Sequence, residues 1–155
     1  MNGTRFARNE MLIIETYVAP SRIHGLGLFA AQNIEMGTIV SFVMPAFDTF
    51  VPKKTFETFP EITQRYIKKY AFYLNEYESY YMPTGDERFI NHKIKSNIVG
   101  SVAQNSLFRY VAIVDTPSGS ELTIDYATID EEHYKRVTNF VERRDAQLWP
   151  PKVKL

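Results

Sequence analysis

Two short stretches hold the side chains best suited to chemistry. Arg88-Phe89-Ile90-Asn91-His92 sets two hydrogen-bonding side chains directly after an apolar pair. Glu121-Leu122-Thr123-Ile124-Asp125-Tyr126 alternates apolar and polar residues and ends on an aromatic hydroxyl. Neither pattern is usual in an ordinary core strand. A third stretch, His24-Gly25-Leu26-Gly27, carries two glycines. Glycine adopts backbone angles that other residues avoid and lets a ligand approach the main chain closely. Taken alone, this stretch reads as a plain hairpin turn. It is not a dinucleotide-binding fingerprint, because Phe29-Ala30-Ala31-Gln32 follows in place of a third glycine. A phenol, with an ordinary pKa of ~10, is better suited to positioning by hydrogen bonds than to acting as a general base. With three histidines and no cysteine in the chain, His92 lacks the companions of a metal site, and no metal is expected.

These residues need a folded frame, and the composition supports one. The chain has 155 residues, the usual size of one domain, and 45% of them are hydrophobic, enough for a core. Eighteen basic and eighteen acidic residues cancel, so no global field draws in nucleic acid. No apolar run approaches the ~20 residues needed to span a membrane. Met11-Leu12-Ile13-Ile14 is too short for a signal-peptide core, which points to an intracellular protein, cytoplasmic or nuclear. No membrane or direct nucleic-acid partner is expected, and the sequence leaves the oligomeric state open.

Strands are predicted over Met11–Tyr17, ended by Pro20 and Ser21, and over Thr38–Val43. Pro45 and Pro52 bracket a loop. Glu61–Leu74 has the best helical periodicity: Ile62, Tyr66, Tyr70 and Tyr73 recur along one face with Ile67, Ala71 and Leu74 beside them, and Gln64, Arg65, Lys68 and Lys69 fall on the other. Such an aromatic stripe is more often core than site. Tyr77–Met82 reads as extended, and Pro83-Thr84-Gly85-Asp86 as a turn. Ile98–Val102 and Leu107–Val114 read as strands around a turn at Gln104-Asn105-Ser106, and Thr116–Ser120 as a further turn. Asp130-Glu131-Glu132 opens a C-terminal helix with Phe140, Val141, Leu148 and Trp149 on its apolar side and Pro150-Pro151 at its end. The pattern is a mainly β domain with helical additions.

In their order and residues, the three motifs resemble the SET-domain protein lysine methyltransferases. That family carries an early glycine-bearing turn, an Arg-Phe-x-Asn-His stretch, and then Glu-Leu-Thr-x-Asp-Tyr. The resemblance covers roughly Leu12 to Tyr126. It implies a β-clip fold of short curved sheets with a helical insert, a C-terminal helix and a pseudoknot in which the C-terminal segment passes beneath a loop near the Asn-His stretch. A single SET domain over 1–155 would divide into N-terminal strands and cofactor turn (11–51), helical insert (52–80), C-terminal core (81–128) and helical lid (129–155).

The resemblance also implies a cofactor, S-adenosyl-L-methionine, and a protein substrate presenting a lysine, a histone among the candidates. Tyr126 matches the catalytic tyrosine that orients the amine. His24, Gly25, Leu26 and Gly27 match the turn beneath the methionine end of the cofactor, and Asn91 and His92 the pair at its adenosine end. Arg88 would be either a cofactor-side cation or part of a structural ion pair. Tyr70 and Tyr73, near the end of the insert helix, are candidates for the substrate channel. Asn97 matches an asparagine that often follows the pair. Many members read Asn-His-Ser-Cys-x-Pro-Asn where this chain has Asn91-His92-Lys93-Ile94-Lys95-Ser96-Asn97. Lacking cysteine, the chain has no zinc-bearing tail, so the C-terminal helix, through Trp149 or Phe140, would cover the lysine channel. Two other readings stand beside methyl transfer: a catalytically inactive SET-like protein-interaction module, and a β-rich nucleic-acid module using exposed aromatics beside Lys53, Lys54, Lys68 and Lys69.

Overall fold

A computed structural model describes residues 13–44, 46–102 and 108–130. The predicted start of the first strand, the turn at 104–106 and the C-terminal helix with its lid lie outside the described residues. The chain divides into two compact units, one of residues 1–49 and 83–125, the other of 50–82 and 126–155. Among the described residues no helix is long and apolar enough to cross a membrane.

The first unit begins with a hairpin. β1 (Thr16–Pro20) pairs antiparallel with β2 (Leu26–Ala30), from Thr16 opposite Ala30 to Pro20 opposite Leu26. Pro20 was expected to end the strand, yet it is the strand's last residue. A proline at an edge position gives up no needed ladder donor. Tyr17 stacks on Phe29 across the pair at 5.4 Å. β3 (Ile39–Phe42) then enters a five-stranded sheet.

The other four strands of that sheet come from the second half of the chain: β7 (Asn91–His92), β8 (Ile98–Val102), β9 (Phe108–Ala112) and β10 (Thr123–Ile124), in spatial order β3-β9-β8-β10-β7. β8 and β9 form an antiparallel pair, while β10 runs parallel to both β7 and β8. The last strand therefore lies between two strands joined by the short link 93–97. This insertion departs from the usual unthreaded connections and matches the pseudoknot that the resemblance implied. Leu28, Val40, Ile98, Tyr110, Leu122 and Ile124 are buried in this unit.

The second unit carries β4 (Thr49–Pro52), α1 (Lys53–Phe56), α2 (Glu61–Tyr70), β5 (Phe72–Leu74) and β6 (Ser79–Met82), with strand order β4-β6-β5. β4 occupies what was expected to be loop. α2 starts after Pro60, with Glu61 in its first turn and Lys68 and Lys69 in its last, the signs that suit the helix dipole. It stops at Tyr70, earlier than the predicted Leu74. Ala71 turns extended, and Phe72 and Leu74 become buried strand residues paired with Tyr81 and Ser79. Burial on alternate residues of a paired strand outweighed the helical periodicity.

The expected aromatic core stripe is also corrected. Ile62, Tyr66 and Tyr70 are exposed, and Ile67 is the buried residue of α2, packed with Phe56 and Ala71 against Val51, Phe59, Tyr80 and Met82. That small core is closed from the β-sheet side by Tyr80, whose ring lies 4.3 Å from Phe56.

Candidate functional site

β7 and β10 bring the two chemistry-bearing motifs side by side. In parallel register Thr123 lies opposite Asn91 and Ile124 opposite His92. Of the apolar members of the two motifs, Ile90, Leu122 and Ile124 are buried in the core and Phe89 is half-buried. This anchors Asn91 and His92 on β7, the edge strand of the sheet. Asn97 fastens the arrangement by imitating a strand: its Nδ2 donates to the Glu121 carbonyl at 2.8 Å, and its Oδ1 accepts the Thr123 N–H at 2.8 Å. The Asp125 Oδ1 sits 3.7 Å from His92 Nδ1, with both side chains partly buried.

The glycine turn is bound to this pair of strands by side chains. Asn91, only 8% exposed, places its Nδ2 within 3.1 Å of the His24 carbonyl, 3.0 Å of the Leu26 carbonyl and 2.8 Å of Glu121 Oε1. The amide has two hydrogens for three acceptors, so at least one is shared. Ser21 Oγ donates to the same Glu121 oxygen at 2.7 Å and accepts the Ile23 N–H at 2.8 Å. His24, Gly25 and Leu26 are exposed, whereas Gly27 is buried. Gly25 sits at φ +50 with open space where a Cβ would be. A Cβ on Gly27 would instead overlap the Glu121 carboxylate. The two glycines therefore answer different demands, one conformational and one steric.

Arg88 lies on a short 3-10 turn, Asp86–Phe89, with its guanidinium 5.0 Å from the Phe89 ring centre. No ion pair of Arg88 occurs among the described residues.

Three of the candidate residues belong to the second unit. Tyr126 opens a 3-10 turn, Tyr126–Thr128, and its ring meets Phe72 edge-on at 5.4 Å. Burial pushes its hydroxyl up to about 12, so the phenol keeps its proton throughout the neutral range. Asp130, two residues beyond that turn, accepts the Tyr73 N–H at 2.7 Å. The Tyr73 ring lies half-buried against Tyr80 at 5.2 Å. Tyr70 is exposed, its ring 5.0 Å from Tyr66 with the Lys69 ammonium above it. Tyr73 is thus held through its backbone N–H by Asp130 and Tyr126 packs its ring on Phe72, while Tyr70 is exposed on α2.

Sequence reasoning overlooked Ser21 and treated Glu121 only as the first letter of a motif. The available signal was a small hydroxyl residue, Ser21, three positions before the His24-Gly25-Leu26-Gly27 turn, and an acid at the head of the second motif. The Ser21–Glu121 pair spans 100 positions, and that the two meet becomes visible only in the fold.

The SET domain family model matches residues 25–127. Histone-lysine N-methyltransferase 2D of Homo sapiens and of Mus musculus are each 29% identical to the chain over 116 residues, which is 71% of this chain and 2% of either relative. The chain therefore spans a very small part of the curated relatives it matches. Among solved structures, Chaetomium thermophilum Polycomb Repressive Complex 2 bound to GSK126 has a TM-score of 0.62 at 22% identity, covering 81% of this chain and 17% of that one. A Plasmodium falciparum chain described as a histone methyltransferase has a TM-score of 0.56 at 19% identity, covering 73% of this chain and 93% of that one. With well over half of its length matched, and with the Asn-His strand paired to the Glu-Leu-Thr-Ile-Asp strand, the chain belongs to the SET domain family.

Proposed function

We propose that the protein transfers a methyl group from S-adenosyl-L-methionine to a lysine side chain of a protein substrate. The observation that carries this reading is the joining of the three motifs: Asn91 holds the 24–26 turn by side-chain hydrogen bonds while its strand pairs with Thr123–Ile124. Family membership supports it. The relatives named as histone-lysine methyltransferases make a histone the first substrate to test.

The residues present fit such a cofactor. It carries a carboxylate and an ammonium at its methionine end, which suits main chain left open around Gly25 and a cation not committed to another carboxylate. Gly25 offers that open main chain, and Arg88 is exposed without an ion pair among the described residues. His24, Gly25, Leu26 and Gly27 would form the turn, with Asn91, His92 and Arg88 beside it. When bound, the cofactor supplies an electrophilic methyl on a positively charged sulfur. The chain's own part is alignment and exclusion of water, and alignment can lower a barrier by roughly 7–11 kcal/mol. Tyr126, still protonated near neutral pH, acts through its hydroxyl as a fixed hydrogen-bonding group for the lysine nitrogen. Tyr70 and Tyr73 are the candidate residues for the substrate side. On this reading the protein works inside the cell, in the cytoplasm or nucleus.

Tyr126→Phe tests the reading. The substitution keeps the ring and removes only the hydroxyl. With labelled cofactor and a lysine-containing protein mixture that includes histones, it should reduce methyl transfer by ~10² or more while cofactor affinity stays nearly constant. A variant that matches wild type within about twofold shows that Tyr126 is not catalytic. A folded wild type that neither binds cofactor nor methylates leaves the inactive interaction module as the better reading.

A further inference from the structure

We infer that Glu121 is the positioning residue of the cofactor turn, and that position 27 is glycine to make room for its carboxylate rather than for the cofactor. The inference rests on the cofactor site proposed above and concerns how that site is held open.

Glu121 is fixed before its side chain acts. Its carbonyl accepts Asn97 Nδ2 at 2.8 Å, its backbone bridges Phe29, and the next residue, Leu122, donates its N–H to the Leu28 carbonyl at 2.7 Å. The carboxylate therefore projects from an anchored backbone onto the base of the 21–27 turn. There Oε1 accepts two hydrogen bonds, from Ser21 Oγ at 2.7 Å and from Asn91 Nδ2 at 2.8 Å. Each donor passes the constraint on to the turn. Ser21 Oγ accepts the N–H groups of Ile23 at 2.8 Å and His24 at 3.3 Å, while Asn91 Nδ2 reaches the carbonyls of His24 and Leu26. One oxygen thus orients two side chains, and those side chains hold both ends of the exposed segment His24-Gly25-Leu26. Hydrogen bonds to a charged acceptor are the stronger kind, which suits a segment that packing does not restrain.

Gly27 completes the arrangement. A Cβ there would overlap Oε1, lie 2.8 Å from Glu121 Cδ and 3.1 Å from Ser21 Cβ. Every one of these nearest atoms belongs to the Ser21–Glu121 pair. A side chain at position 27 would displace the carboxylate and release the turn without touching the space outside Gly25, which stays open.

Calorimetry with S-adenosylhomocysteine, combined with hydrogen exchange of the 22–26 amides in the ligand-free protein, tests the inference. Glu121→Ala should weaken binding by about tenfold or more and speed exchange of the Ile23 and His24 amides by a similar factor. Glu121→Gln, which keeps an acceptor oxygen in place, should restore binding to within about threefold of wild type. Gly27→Ala should weaken binding about tenfold alone and add less than about twofold to Glu121→Ala, since coupled residues are not additive. Equal harm from Gly27→Ala in both backgrounds overturns the inference, as does undiminished binding by Glu121→Ala. Either result leaves the proposed function standing provided that wild type binds. A folded wild type that does not bind overturns both. Should Glu121→Ala fail to fold, Glu121→Gln and Gly27→Ala still decide: threefold or weaker effects from Gly27→Ala reject the steric claim.

Discussion

Glu121 and Glu87 are carboxylates in the same structural unit, with opposite fortunes. Glu121 Oε1 receives two well-formed hydrogen bonds, at 2.7 and 2.8 Å, and through them shapes an exposed turn. Glu87 is 3% exposed, receives one long contact from Ser41 Oγ at 3.3 Å, and leaves Oε2 buried without a hydrogen-bond partner among the described residues. Burial pushes the Glu87 carboxyl above its ordinary range, with the nearby Asp48 and Asp86 charges adding to the shift; its own backbone N–H and Ser41 act the other way. Asp48, also buried, is occupied by the backbone N–H groups of Met44 and Thr84 and offers Glu87 no relief. The difference teaches that burial alone does not make a carboxylate structural. The donors aimed at it decide whether its charge organises the fold or opposes it.

The largest effect that should separate the two sites comes from Asn91→Ala. It removes the donor to Glu121 and to two carbonyls together, and should cost about 2–4 kcal/mol in urea unfolding at neutral pH. A cost below about 0.5 kcal/mol would mean that Glu121 is as poorly engaged as Glu87. Ser21→Ala removes one donor to the same carboxylate and should cost about 1–2 kcal/mol, with faster exchange at Ile23 and His24.

The smallest expected effect has the opposite sign. Because the folded-state pKa of Glu87 is raised, the folded protein holds that proton more tightly than the unfolded chain. This contribution to stability is fully present below the ordinary value of 4.5 and is lost as pH rises through the raised folded value. Glu87→Gln should therefore raise stability by about 1 kcal/mol at pH 7, and the gain should vanish near pH 4. A loss at pH 7 would show that the ionised carboxylate is favoured where it sits, and the contrast with Glu121 would fall.

Much of this was legible without coordinates, for local reasons. Thr38–Val43, Ile98–Val102 and the strand ending at Ala112 announce themselves by β-branched residues between turn formers. The three motifs carry residue types rare enough to name a family. The boundaries that failed did so where local preference met tertiary pairing. Tyr73 and Leu74 continue a helical period, yet strand pairing with β6 took them. Ile62, Tyr66 and Tyr70 form an apolar stripe that stays exposed, and the small core closes instead on Ile67 and Ala71 beside it.

The sequence by itself determined which residue types stand in the three motifs: an amide, an imidazole, a phenol and two glycines, in an order that the SET family shares. These are chemical identities, written residue by residue. Only the tertiary structure decided what each one faces. Asn91 looked like a cofactor residue and also holds the turn, because its amide reaches carbonyls 65 and 67 positions away. Gly27 looked like an opening for a ligand and is filled by Glu121. Hydrogen bonds and steric contacts act over a few ångströms in space, and a one-dimensional pattern contains no distance between residues that the fold brings together from opposite ends of the chain.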